Sequence, residues 1–114
     1  MKQTNLILLN TSILTSFGTY IYEPLTLEEA RTLVNEFQRE GKNTQSVIGH
    51  QTTADLLSAL LGIAVAVKRI EYQQTVEDAA VIFKLKGRPP EGKVLSREEL
   101  GEMGYEFGLL TRES

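Results

Sequence analysis

Two short polar clusters in this sequence carry residue types that can do chemistry. Gly49-His50-Gln51-Thr52-Thr53 immediately precedes leucines at helical spacing, which puts the chain's single histidine at or beside a helix N-terminus. Free backbone N–H groups and the positive end of the helix dipole favour an anion there, and Gly49 lets a phosphate approach closely. Thr52 and Thr53 add hydroxyl donors. The imidazole of His50 can then act as a general acid on a bound anion, or it can merely help to cap the helix. The second cluster is Arg88-Pro89-Pro90-Glu91-Gly92-Lys93. Arg88 suits a bidentate phosphate contact, and the two prolines reduce the entropy lost in fixing it. Glu91 can pair with Arg88, orient a ribose hydroxyl or accept its proton, although an exposed ion pair worth under ~1 kcal/mol is the plain alternative. A third cluster, Asn10-Thr11-Ser12, is as readily explained by turn formation as by binding.

Counts narrow the chemistry further. The chain has 114 residues, no cysteine and one histidine. These counts exclude a disulfide framework, a thiol nucleophile, a cysteine-bearing zinc site and any site within one chain that needs two imidazoles. No Gly-x-x-x-x-Gly-Lys-Ser/Thr loop, no Gly-x-Gly-x-x-Gly turn and no aspartate cluster for paired magnesium ions occurs. Phosphodiester chemistry on such a chain is expected to work without metal or cofactor, with an internal ribose 2′-hydroxyl as nucleophile. RNA carries that attacking group and DNA does not. The protein's tasks are then to align the 2′-hydroxyl with phosphorus, stabilise added negative charge and protonate the departing 5′-oxygen.

The elements that must position these clusters follow from local signals. Leu6 to Leu9 is a continuous apolar run, read as a strand buried on both faces. A second strand starts at Gly18-Thr19, runs through Tyr20 and Tyr22 and is stopped by Pro24. Thr26 and Glu29 make a capping box for a first helix, whose apolar stripe is Leu27, Ala30, Leu33, Val34 and Phe37 and which Gly41 ends. A second helix spans Gln51 to Leu61, with Gly62 as its C-terminal stop. Two β-rich segments follow, Ala64 to Gln73 and Ala80 to Lys86, joined by a polar turn near Thr75 to Asp78. The 87–93 loop cannot be regular structure, since prolines and glycines interrupt it. Ser96 and Glu99 cap a third helix closed by Gly104, and Tyr105 to Leu110 forms the last strand. The expected architecture is one α/β domain over residues 1–114, a mixed sheet of about five strands with packed helices.

Composition places the chain in the ordinary soluble range, with 41% hydrophobic and 24% charged residues and a net charge of −3. That charge argues against a general nucleic-acid binder. Its distribution says more: residues 68–93 carry six basic residues against four acidic ones, which fits a compact anionic ligand rather than a long duplex. The apolar run at Leu6 is shorter than a secretory signal core, and no stretch approaches the ~20 residues of a spanning helix, so no membrane association is expected and the working place is the cytoplasm.

Several segments together resemble a known family. Leu8-Leu9-Asn10-Thr11-Ser12, Ile48-Gly49-His50-Gln51-Thr52-Thr53, Lys68-Arg69-Ile70-Glu71 and Arg88-Pro89-Pro90-Glu91-Gly92-Lys93, in this order and spacing, are similar to the viral anti-CRISPR ring nucleases, members of which also occur in prokaryotic genomes. The resemblance implies metal-independent cleavage of cyclic tetra-adenylate, the messenger of type III CRISPR defence, to short linear adenylates by a cytoplasmic homodimer, with no DNA partner. It also implies roles: His50 as general acid, Arg88 as transition-state stabiliser, Glu91 as base or ribose-positioning group, and Asn10, Thr11, Ser12, Gly49, Thr53 and Arg69 as substrate contacts. A two-fold ring suits an isologous dimer, in which each subunit presents its one imidazole to opposite sides. The competing expectations are a cyclic oligoadenylate sponge or sensor that does not cut, and a structural dimer whose polar clusters are caps and turns.

Overall fold

The computed structural model describes residues 3–11, 14, 16–86 and 97–114. Eight elements follow one another: β1 (Asn5–Leu9), β2 (Tyr20–Leu25), α1 (Leu27–Arg39), β3 (Asn43–Ser46), α2 (Gln51–Leu61), β4 (Asp78–Leu85), α3 (Arg97–Met103) and β5 (Tyr105–Arg112). The strands form one mixed sheet in the order β2-β5-β4-β1-β3. β1 runs parallel to both β3 and β4, and β5 is antiparallel to both β4 and β2. The chain is therefore an α/β domain with a five-stranded mixed sheet, as the sequence implies.

After Asn5, β1 is apolar from Leu6 to Leu9 because both its faces are covered there. Leu6 and Leu8 join Ala79, Val81 and Phe83 against Ala30, Val34 and Phe37 of α1 and Ala54 and Leu57 of α2. Ile7 and Leu9 point the other way, into a smaller cluster with Val47, Ala80, Ile82 and Leu110 that Tyr20 and Tyr72 help to close. α1 begins with the expected capping box: the Glu29 N–H donates to Thr26 Oγ1 at 3.1 Å and the Thr26 N–H donates to Glu29 Oε1 at 2.9 Å. α2 has the expected bounds and ends at Gly62, whose φ of 73° is the left-handed conformation that glycine adopts without strain. Among the described residues no helix is long and apolar enough to cross a membrane.

Three expectations are corrected. Pro24 does not stop β2 but lies inside it, opposite Gly108. β2 is an edge strand, where a missing N–H need not break a ladder. The 64–73 segment contributes no strand to the sheet and makes a single parallel bridge, Ile48 to Val67. Its alternating residues are instead spent on separate neighbours, Val65 in the main core and Tyr72 over the second cluster. The fifth strand is the polar β3, which pairs with β1 along the sheet's other edge. Finally, β5 continues past Leu110 to Arg112. The 87–93 loop and the expected Ser96 cap lie outside the described residues.

At the start of β4, Asp78 is buried and its carboxylate accepts three hydrogen bonds, from Asn5 Nδ2 at 2.9 Å, the Tyr72 hydroxyl at 2.7 Å and the Thr75 N–H at 3.1 Å. Burial, and then the hydrogen bond to Asp78, hold the Tyr72 phenol well above its ordinary value. A phenol raised on folding stabilises the native state below its free pKa of about 10 and loses that contribution as pH rises through the raised value. Tyr72→Phe should therefore cost about 1–2 kcal/mol near neutrality. The gap between variant and wild type should narrow as pH climbs above about 10, which urea unfolding at pH 7 and pH 10.5 will measure; a gap that stays constant contradicts the assignment.

Candidate functional site

The parallel strands β1 and β3 end side by side, and a cavity of about 420 Å³ opens just beyond their C-terminal ends, lined by Asn10, Val47, Gly49, His50, Lys68, Arg69 and Ile70. Ligands commonly bind outside the carboxyl ends of strands in open α/β sheets. Local reasons place each wall. Asn10 directly follows β1, and Val47 is held by its N–H bond to the Leu8 carbonyl at 2.9 Å. Gly49 and His50 are the turn into α2.

His50 is the N-cap of α2 in extended conformation (φ −130°, ψ 132°), its carbonyl accepting the first helical bond from Ala54 at 3.0 Å. Its side chain makes no capping hydrogen bond and is exposed. The capping explanation for this histidine is thereby removed, and an exposed imidazole stands at the cavity wall beside a helix start that has no acidic residue in its first turn.

The opposite wall is the 66–70 segment, laid alongside residues 46–49. The Lys68 N–H donates to the Ile48 carbonyl at 2.9 Å, and Arg69 Nε donates to the Gly49 carbonyl at 2.7 Å. That second bond ties the guanidinium to the peptide immediately before His50. Among the described residues no carboxylate lines the cavity, whereas two permanent cations do, so the electrostatics select an anion. A second cavity of about 440 Å³, between α1 and β5, has the opposite character, with Glu28, Glu29 and Glu36 on its walls and Leu33 and Leu109 among its apolar residues. It offers nothing to a phosphate.

Of the residues singled out in the sequence, the structure thus brings Asn10, Gly49, His50 and Arg69 to one cavity. Thr11 is exposed and Thr53 half-buried, and neither is a lining residue. Ser12, Arg88 and Glu91 lie outside the described residues. Sequence reasoning did not single out Val47, Lys68 or Ile70 as site residues. Lys68 and Ile70 are signalled by their place on either side of Arg69 in the Lys68-Arg69-Ile70-Glu71 segment, while Val47 carries no signal that separates it from strand residues.

The chain is thus a small α/β domain with a cation-lined cavity at the C-terminal ends of the parallel strands β1 and β3. Residues 6–107, which include the whole cavity, match the STIV B116-like family, and the chain belongs to it. The protein YddF of Bacillus subtilis (strain 168) is 36% identical over 104 residues, covering 91% of this chain and 94% of that one. The protein ORF117 of Acidianus two-tailed virus is 37% identical over 91 residues, covering 79% of this chain and 75% of that one. The solved structure of B116 from Sulfolobus turreted icosahedral virus superposes with a TM-score of 0.79 at 26% identity, covering 95% of this chain and 98% of that one.

Proposed function

We propose that this chain is a metal-independent ring nuclease that cleaves cyclic tetra-adenylate to short linear adenylates and so switches off type III CRISPR signalling. The observation that carries the reading is the placement of His50: an exposed imidazole, unused in capping, on the wall of a cavity whose other ionisable groups among the described residues are the cations Lys68 and Arg69. Relatives in archaeal viruses fit an antagonist of host defence, and the bacterial relative fits a cellular version of the same activity. The anti-CRISPR resemblance of the Ile48-Gly49-His50 and Arg88-to-Lys93 segments supplies the substrate.

In this mechanism the ribose 2′-oxygen attacks the adjacent phosphorus, the O2′–P bond forms and the P–O5′ bond breaks, leaving a 2′,3′-cyclic phosphate. The 2′-hydroxyl proton leaves to solvent or to Glu91, and His50 donates a proton to the departing 5′-oxygen. Lys68 and Arg69 hold the ring's phosphates, and Arg88 meets the charge that grows on the reacting one. The working unit is a homodimer enclosing the ring, with one His50 on each side. Leu14, Phe17 and Ile70 are large apolar side chains left exposed on one protomer, surface that a second copy can cover.

The test is incubation of the protein with cyclic tetra-adenylate in excess EDTA, followed by chromatography. Linear adenylates ending in 2′,3′-cyclic phosphate are expected. An intact ring that nevertheless binds tightly identifies a sponge or sensor, and absence of both binding and cleavage overturns the reading.

A further inference from the structure

The cations of the cavity belong to a segment with few anchors. From Ala66 to Arg69 every residue is exposed, so no buried side chain within that stretch fixes its register; the nearest upstream is Val65. The alignment with residues 46–49 rests on a single parallel bridge and three hydrogen bonds among the described residues. Two are those of the Lys68 N–H and Arg69 Nε. The third comes from Ser46, the last residue of β3, whose hydroxyl donates to the Ala66 carbonyl at 2.6 Å and accepts from the Ile48 N–H at 3.3 Å. This hydroxyl bridges the two backbones at the point where they first come together, and it is not a lining residue of the cavity.

Taking the proposed function as its basis, we infer that Ser46 is a positioning residue, a latch that sets the register of the 66–69 segment so that Lys68 and Arg69 meet the phosphates opposite His50. A side chain that orders ground-state phosphate contacts acts on binding, whereas one that touches the reacting atoms acts on turnover. Ser46→Ala removes one of the three bonds and should raise KM for the ring about tenfold while kcat stays within about twofold. Ser46→Thr keeps the γ-oxygen in a residue that suits a strand, and should restore both.

Amide hydrogen exchange, read without ligand, separates the latch from the function. In Ser46→Ala the Lys68 amide should exchange about ten times faster while the amides of β1 and β4 keep their protection. Unchanged Lys68 exchange together with an unchanged KM overturns the inference. So does faster exchange throughout the sheet with a parallel fall in kcat, which marks Ser46 as a stability residue only. If the wild-type protein neither binds nor cuts the ring, the functional reading fails, and Lys68 exchange still decides the latch.

Discussion

Replacing His50 by alanine should lower the rate of ring cleavage by about 10²–10⁴-fold while leaving the affinity for cyclic tetra-adenylate within a few-fold of wild type. The direction follows from leaving-group chemistry. A ribose 5′-alkoxide departs slowly unless it is protonated as the P–O5′ bond breaks, and His50 is the only imidazole in the chain. The selectivity for turnover over binding follows from the structure: among the described residues Lys68 and Arg69 supply the cavity's permanent charge, and neither depends on the imidazole for its backbone or side-chain bonds. Folding should be nearly untouched, because the His50 side chain makes no cap hydrogen bond and its extended backbone suits alanine. A ring carrying sulfur in place of the bridging 5′-oxygen sharpens the test, since a thiolate leaves without a proton. On that substrate His50→Ala should approach the wild-type rate. Equal rates for variant and wild type on the natural ring would remove His50 from the mechanism, and with it the mechanism.

What the sequence makes legible here is what short-range chemistry decides. The capping box at Thr26 and Glu29, the Gly62 stop and the apolar Leu6-to-Leu9 run of β1 are each specified by residues a few positions apart, and each is found where the pattern puts it. β3 escaped notice because Asn43-Thr44-Gln45-Ser46 sits on a sheet edge and has no apolar alternation. The 64–73 segment misled for the converse reason: its residues have strand character, but they are used for separate contacts with the core, with Ile48 and with Asp78. The candidate site shows the same division. His50 at a helix start is a local inference, while the meeting of Arg69 with Gly49, twenty residues away, depends on how the segment crosses the sheet. Lys68 and Ile70 enter the cavity on the same crossing.

Asp78→Ala should destabilise the fold by about 3–5 kcal/mol, a large part of the 5–15 kcal/mol that a domain of this size holds in total. Asp78 is 5% exposed and pairs with no cation among the described residues, so its buried charge is compensated by hydrogen bonds alone. Alanine leaves Asn5 Nδ2, the Tyr72 hydroxyl and the Thr75 N–H to find partners at once. Asp78→Asn keeps an acceptor in the same place and should cost roughly half as much. Urea unfolding at pH 7 reads both, and a loss under about 1 kcal/mol for the alanine variant would mean that water replaces the carboxylate freely. The consequence reaches the cavity. Asn5 and Asp78 form the first rung of the β1–β4 pairing, whereas Tyr72 and Thr75 belong to the segment that carries Lys68 and Arg69 at its other end. Asp78 thus anchors one end of that segment and Ser46 the other. In a fold that survives the substitution, Asp78→Asn should weaken ring binding more than it slows turnover, as expected of an anchor acting through the cations and not on the reacting phosphate.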